Sequence, residues 1–360
     1  MMNQDFFHTT KRQEASFDQS ILRFFRYGLK KSLLHPSYFL WMAQQGYYQL
    51  RASRKRKQQQ ERGLTIPPLI IMSITRSCNL HCQGCYSRAL RPETSGELSL
   101  ETMASVLQQA DELGISLVLL AGGEPMMRFS DLLSLSELFP RMLFPFFTNG
   151  LLLKEDHIRS LQRHKNLIPI LSIEGTHPVT DSRRGQGVGQ HISTLQGILE
   201  KFNIFFGISL TVDTHNIEEI TQDAFVRNQI HQGVKVFFMV EFVPVEPNSE
   251  QFILAQEQRD WLHMMTKRFQ KHYSALFVSL PGDEEKFGGC LAAGRGFIHI
   301  NPEGKVEACP FAPFSDSSIT DLTLAEALQS PLTKRIRDQH HLLTETKGGC
   351  ALYKSAERFL

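Results

Sequence analysis

Alternation of strand-like and helix-like segments from residue 69 onward is the feature that most constrains the fold. Six apolar runs, the first over residues 69–74 and the last over 235–244, are separated by segments whose apolar residues recur mostly at helical spacing. Such alternation predicts parallel βα units with right-handed connections. The expected fold class is α/β, and periodicity alone leaves a partial (β/α)6 barrel and a doubly wound sheet both open.

Three cysteines directly follow the first predicted strand. Cys78, Cys82 and Cys85 stand in a C-x-x-x-C-x-x-C spacing, at the strand end where α/β folds build their sites. Three soft thiolates this close suit an iron–sulfur cluster and can leave one iron of a four-iron cluster open to a small molecule. A zinc site normally takes a fourth nitrogen or sulfur ligand nearby. A zinc knuckle and unmodified buried thiols are the alternatives.

The other three cysteines lie near the end of the sequence. Residues 297–300 and 305–308 alternate around the turn Asn301-Pro-Glu-Gly304, which predicts a hairpin. Cys290 and Cys309 bracket this hairpin, and Cys350 follows it.

Composition excludes several classes of protein. The chain has 360 residues, is 41% hydrophobic and has a formal net charge of +2, so it can bury a large core and gives no reason to expect a nucleic-acid partner. Its six cysteines are too sparse for a secreted disulfide scaffold. No signal-peptide pattern opens the sequence, and no apolar run approaches the ~20 residues that span a bilayer. We therefore expect a cytoplasmic protein.

Residues 1–65 differ in composition from the rest of the chain. The segments 21–34 and 38–50 predict two helices separated at Pro36, and residues 51–62 predict a basic linker or helix end. A basic amphipathic helix can lie on an anionic membrane or bind an acidic partner. We prefer the interpretation in which the aromatic face packs on the barrel, because apolar faces at helical spacing most often serve a core. Peripheral membrane contact is the alternative.

The cysteine loop, together with Gly122-Gly-Glu-Pro125 one βα unit later, resembles the radical S-adenosylmethionine (SAM) superfamily over residues 66–245. The C-terminal part resembles the SPASM/twitch extension of many members. The resemblance implies a six-unit partial barrel over residues 66–275, preceded by a helical extension over 1–65 and followed by a cluster-binding module over 276–360.

Residue roles follow from the same resemblance. It implies a [4Fe-4S] cluster on Cys78, Cys82 and Cys85, with SAM bound beside it. The family often carries an aromatic residue just before the third cysteine, whereas this chain has Gly84 there, so we expect Tyr86 to supply the stacking face. The implied SAM-binding residues are Gly122, Gly123, Glu124, Pro125, Ser172, Glu174, Arg184, Ser209 and Tyr86.

An auxiliary [4Fe-4S] cluster on Cys290, Cys309 and Cys350 is implied by the SPASM/twitch resemblance. Three cysteines exclude two auxiliary clusters, and the last iron would be held by another group, by substrate or by nothing. Zinc or no metal at all is the alternative.

The resemblance implies an enzyme that cleaves SAM reductively to a 5′-deoxyadenosyl radical, which abstracts hydrogen from a substrate. Peptide or protein modification is the leading hypothesis, and modification of a small molecule, cofactor precursor or lipid is the alternative. A flavodoxin or ferredoxin is the expected reductant. A non-catalytic electron carrier or scaffold is a further alternative, and SAM cleavage distinguishes it from the enzyme.

Overall fold

Nine strands form one curled sheet in the computed structural model, which describes residues 36–90, 96–280, 289–343, 350–355, 358 and 359, together with 21, 22, 25, 26, 28 and 29. The strands are β1 (Leu69–Ser73), β2 (Leu117–Ala121), β3 (Phe144–Thr148), β4 (Leu167–Ile173), β5 (Gly207–Val212), β6 (Val236–Glu241), β7 (Leu276–Leu280), β8 (Phe297–Ile300) and β9 (Val306–Glu307). Their order is β7-β6-β5-β4-β3-β2-β1-β8-β9. All neighbours are parallel except β8 and β9. The predicted α/β partial barrel is confirmed.

Helices connect and flank these strands. They are α1 (Pro36–Glu61), α2 (Tyr86–Leu90), α3 (Leu100–Leu113), α4 (Phe129–Leu138), α5 (Glu155–Arg163), α6 (His177–Arg184), α7 (Val188–Lys201), α8 (Ile217–Ile220), α9 (Asp223–His231), α10 (Gln256–His272), α11 (Leu324–Ala327), α12 (Pro331–Asp338) and α13 (Ala351–Lys354). Helix α3 shows local control of the ends: the Ser99 hydroxyl accepts from the Thr102 amide at 3.2 Å, and Gly114 ends the helix with φ 92°.

The two faces of the sheet contact different layers. Alternate side chains, such as Met72 and Phe237, pack against the surrounding helices in the main core. The opposite face, which we call the inner face, carries Ile168 and Ile170 and packs against α1 through Met42. Because side chains alternate along a strand, residues two and four positions after Ile170 also lie on the inner face.

Helix α1 crosses the amino ends of the strands. The Trp41 ring lies 5.3 Å from that of Phe205, just before β5, and the Ser116 hydroxyl, just before β2, donates to Gln49 Oε1 at 2.6 Å. The preferred interpretation, packing on the barrel, agrees with these contacts. The predicted helix over 21–34 lies largely outside the described residues. Within the described part of the chain, no helix is long and apolar enough to cross a membrane.

The sheet extends beyond the six predicted βα units at both edges. Strand β7 pairs with β6 past the predicted barrel boundary at residue 275. Strand β8 pairs in parallel with β1, with His299 opposite Ile71, and β9 completes the predicted hairpin. The C-terminal module is therefore continuous with the barrel sheet, while the predicted boundaries between the three regions stay predictions.

Candidate active site

The cysteine loop is held at the carboxyl end of β1 by the stretch that follows β2. The Gly123 amide donates to the Thr75 carbonyl at 2.7 Å, and the Glu124 amide donates to the Ser77 carbonyl at 2.8 Å. A side chain at Gly122 would strike the backbone of Thr75, and one at Gly123 would strike that of Ser77. The two glycines thus let two backbone segments meet closely.

Glu124 ties neighbouring strand ends together. Its buried carboxylate accepts from the Met126 amide at 2.9 Å, the Thr148 hydroxyl at 2.7 Å and the Asn149 amide at 2.8 Å. Burial raises the pKa of Glu124, although these hydrogen bonds oppose the shift. The Asn149 side chain in turn donates to Asn79 in the cysteine loop at 2.8 Å. The ends of β2 and β3 therefore support the loop through one carboxylate.

The loop presents its thiols beside this support. Cys78 is exposed, Cys82 and Cys85 are half-buried, and none is in a disulfide. Burial, then Glu124 and the two neighbouring thiols, raise the pKa of Cys78, with a hydrogen bond from Leu80 opposing. As the described side chains stand, no three His, Cys, Asp or Glu groups converge closely enough to hold a metal ion. The fit to an iron–sulfur cluster rests on the soft donor set and on the anchored loop.

Two arginines converge on Glu174 at the end of β4. Arg184 Nη2 lies 2.6 Å from its carboxylate, and Arg183 pairs with the same oxygen. The other oxygen accepts from the Thr211 amide at 3.0 Å. Arg184 Nε is buried and has no hydrogen-bond partner among the residues that the structure describes. A buried N–H group without a hydrogen-bond partner costs free energy. Arg184 can therefore donate to an anionic ligand through Nε while it keeps its ion pair with Glu174.

The remaining predicted SAM-binding residues lie at the same end of the sheet. Ser172 on β4 is opposite Ser209 on β5, and both are half-buried on the inner face. Pro125 is buried at the start of a short 3-10 helix. The structure therefore brings Ser172, Ser209, Glu174 and Arg184 to one group of strand ends, while their contacts with SAM stay predictions.

Aromatic rings contact the cysteine loop from two sides. Tyr86 packs on Phe311 of the C-terminal module, with ring centroids 4.7 Å apart. Gly84 has φ +65°, and a Cβ there would lie 2.6 Å from the ring of Phe242. The aromatic group next to Gly84 thus comes from the loop after β6, and no local sequence signal pairs these two positions.

A cavity of about 250 Å³ adjoins the cysteine loop. Burial raises the pKa of one of its carboxyls, Asp213, against hydrogen bonds from His215 and Asn216. His215 and Phe252 were missed by the sequence analysis, because neither belongs to a motif that predicts a site. The lining includes Gln83, Glu174, Arg183, Asp213, His215, Phe242 and Phe252.

The second cysteine group is assembled in the C-terminal module. Cys290 and Cys309 are buried and Cys350 is half-buried, all in one apolar cluster that also contacts Ile71 of β1. A hydrogen bond with Cys350, then burial and the nearby Cys290, raise the pKa of Cys309. The structure therefore places this predicted triplet in one apolar cluster. Its thiols, like those of the first group, do not converge closely enough among the described side chains to hold a metal ion, and an auxiliary cluster there stays a prediction.

Hydrogen bonds and an ion pair connect the C-terminal module to the barrel. Ser73 Oγ lies 2.9 Å from His299 Nε2, and His299 Nδ1 lies 2.7 Å from Glu307. Arg76 in the cysteine loop pairs with Glu303 in the hairpin turn. The loop is consequently held from both the barrel and the module.

Comparison with known proteins identifies the family. The family model described as "Radical SAM superfamily" matches residues 72–225, which include the end of β1, the cysteine loop and β2 to β5. Residues 72–225 are therefore a radical SAM domain. The prediction of a radical SAM enzyme, made from the cysteine loop, is confirmed.

Two relatives of this chain carry out different reactions. The AdoMet-dependent heme synthase of Methanosarcina barkeri is 26% identical over 314 residues, covering 79% of this chain and 88% of the relative. The mycofactocin maturase MftC of Mycobacterium tuberculosis is 24% identical over 268 residues, covering 71% and 67%. The radical SAM likeness therefore extends well beyond the matched domain.

The fold is similar to solved radical SAM structures. Streptococcus suis SuiB bound to S-adenosylmethionine has a TM-score of 0.64 at 18% identity, covering 81% of this chain and 73% of SuiB. SuiB has also been solved with its precursor peptide SuiA. The structural likeness reaches past residues 72–225 into the flanking parts of the chain.

Proposed function

We propose that this radical SAM enzyme modifies a peptide or protein, using SAM bound at a [4Fe-4S] cluster on Cys78, Cys82 and Cys85. The anchored cysteine loop beside Arg184 supports this proposal, because the buried Nε of Arg184 has no hydrogen-bond partner within the described part of the chain. When bound, the cluster and SAM together supply reductive cleavage of the sulfonium C–S bond and hydrogen abstraction.

The chain's own residues would bind and orient SAM. Arg184 would direct its unpaired Nε–H to the methionyl carboxylate while Glu174 fixes its guanidinium. Ser172 and Ser209, side by side on the inner face, would donate to or accept from the ribose hydroxyls. The backbone around Gly123 would be kept rigid by its bonds to the cysteine loop. The expected reductant, a flavodoxin or ferredoxin, belongs to the same proposal.

The cavity beside the loop has a volume of about 250 Å³, which can admit one side chain of a peptide substrate. The maturase MftC and the peptide-bound SuiB are consistent with this class. Modification of a tetrapyrrole is the second candidate, favoured by the heme synthase relative.

The second triplet, Cys290, Cys309 and Cys350, would hold the auxiliary cluster. Its three sulfur donors share one buried cluster of side chains, which suits soft thiolate ligation and limits solvent access. Contact between Tyr86 and Phe311 places this group next to the cysteine loop. We propose that it supports the reaction as an electron acceptor or as a substrate-binding site.

Anaerobic reconstitution tests both sites. The parent is expected to bind about eight irons, and Cys78→Ala/Cys82→Ala/Cys85→Ala and Cys290→Ala/Cys309→Ala/Cys350→Ala about four each. SAM should perturb the electron paramagnetic resonance of the parent and of the second variant only, and dithionite should release 5′-deoxyadenosine from the same two. Iron retained in the first variant at the parent's level would overturn the proposal.

A binding titration separates the two substrate classes. Iron coproporphyrin should give no saturable change in its Soret absorbance with the reconstituted enzyme. Saturable binding followed by a change in porphyrin mass would establish the second candidate and reject the peptide.

A further inference from the structure

Helix α1 has one face whose position is fixed by the barrel. Met42, Gln45, Gln49, Ala52 and Arg56 are buried along this face. Their spacing of three and four residues places them on one side of the helix. Along the part of α1 that contacts the barrel, the opposite side of the helix therefore faces away from the sheet.

That opposite side begins with exposed apolar residues. The exposed fractions are 70% for Leu40, 55% for Tyr47 and 42% for Leu50. Successive positions of this set fall within one stripe of the helix, opposite the buried face. Large apolar side chains grouped on an exposed face commonly mark an interaction site.

Cations continue the same stripe toward the end of the helix. Arg51, Arg54 and Lys57 are exposed, and Arg51 lies 5.9 Å from the centroid of the Tyr47 ring. Among the described residues, none of the three has an acidic partner, whereas Lys55 on the flank pairs with Asp111. The α1 sequence has no acidic residue before Glu61, its last position.

We propose that this exposed stripe of α1 docks the protein on an anionic lipid surface. The apolar residues Leu40, Tyr47 and Leu50 would enter the headgroup region, and Arg51, Arg54 and Lys57 would contact lipid phosphates. A lipid surface is favoured over an acidic protein because the stripe is a convex helix face with both an apolar and a cationic end. The proposal is independent of the substrate class.

The position of α1 sets the orientation of the docked protein. Because α1 crosses the amino ends of the strands, the cysteine loop lies at the opposite, carboxyl end of the sheet. Docking would therefore leave the active-site mouth open to substrate in solution.

Vesicle flotation with the full-length protein tests the proposal. The parent should float with vesicles of phosphatidylcholine containing about one third phosphatidylglycerol, and not with phosphatidylcholine alone. Arg51→Glu/Arg54→Glu/Lys57→Glu should reduce partitioning roughly a hundredfold, since each cation near an anionic surface contributes severalfold. Added salt should weaken the parent's binding, and Leu40→Ala/Leu50→Ala should weaken it at all salt concentrations.

A matched variant controls for net charge. Lys201, Lys267 and Lys271 are exposed on other helices, and their replacement by Glu changes the charge equally but should leave flotation unchanged. Thermal unfolding by circular dichroism confirms that each variant is folded. Equal loss in both triple variants, equal binding to neutral vesicles, or no binding by the parent would overturn the proposal. Capture by polyglutamate without vesicle binding would assign the stripe to an acidic protein instead.

Discussion

Glu241 is a buried carboxyl on the helix side of β6. It shares the face of Phe237 and Met239, which pack in the main core, and the positive charge of Arg259 on α10 acts on it. Burial raises the pKa of Glu241 to about 6, with Arg259 opposing the shift. Its side chain is therefore directed toward α10 rather than toward the inner face.

This raised pKa predicts a pH-dependent loss of stability. Below the ordinary value of 4.5 the carboxyl is protonated in both states, and above about 6 its charge must be buried in the folded state. The free energy of unfolding of the parent should fall by about 2 kcal/mol relative to Glu241→Gln over this interval. Urea unfolding of the parent and of Glu241→Gln at several pH values measures this difference in the free energy of unfolding. A difference that does not change with pH would contradict the raised pKa of Glu241.

Gly84 predicts a second effect at the residue scale. Its φ of +65° disfavours any residue with a Cβ, and that Cβ would press on the Phe242 ring. We expect Gly84→Ala to lower the free energy of unfolding by about 1–3 kcal/mol. In a Phe242→Ala background the cost should be smaller, because only the backbone contribution remains. Equal costs in the two backgrounds would show that the ring is not involved.

At the element scale, the pairing of β8 with β1 depends on a buried polar chain. Ser73, His299, Glu307 and Asn301 are all buried and linked by hydrogen bonds of 2.7 to 2.9 Å. Such a network stabilises when every member is satisfied and is costly when one is removed.

Removal of the central histidine should therefore be costly. His299→Leu leaves Glu307 buried without its main partner, and we expect a loss of about 3 kcal/mol or more in urea unfolding. His299→Leu/Glu307→Gln should recover part of this loss, because the unpaired charge is gone. If the double variant is less stable than His299→Leu, the network is not the cause.

Element prediction succeeded where the signal is local. Apolar runs and helical spacing located β1 to β6 and the hairpin of β8 and β9, since each depends on its own residues. The stretch over 51–62 was predicted as a basic linker or helix end, and it forms the C-terminal part of α1, which ends at Glu61. Arg56 in this part is buried and donates to the Gly114 carbonyl. The parallel pairing of β8 with β1 has no local signal.

Site residues, like the strands and helices, could be predicted only where the sequence signal is local. The cysteine loop and Gly122-Gly-Glu-Pro125 are motifs, so their place at the strand ends could be predicted. Contacts between distant residues could not: the ring of Tyr86 rests on Phe311, and that of Phe242 rests on Gly84. Such pairs are formed by tertiary packing between residues that are far apart in the chain. No fixed spacing in a single sequence indicates them.

At the scale of the whole molecule, three contacts join the two cysteine groups into one unit. The sheet continues from β1 to β8, Arg76 pairs with Glu303, and Tyr86 packs on Phe311. A substitution in the C-terminal module should therefore change the conformation of the cysteine loop, even where no cysteine is replaced.

The pairing of β1 with β8 also has a consequence for how the protein is made. Ser73 and His299 are 226 residues apart in the chain, so the strand that precedes the cysteine loop lacks one neighbour until β8 has been synthesised. Contacts this distant in sequence form late and slow the folding of a domain. We therefore expect the cysteine loop to reach its final conformation, and to be ready for iron and sulfide, only after β8 has been synthesised.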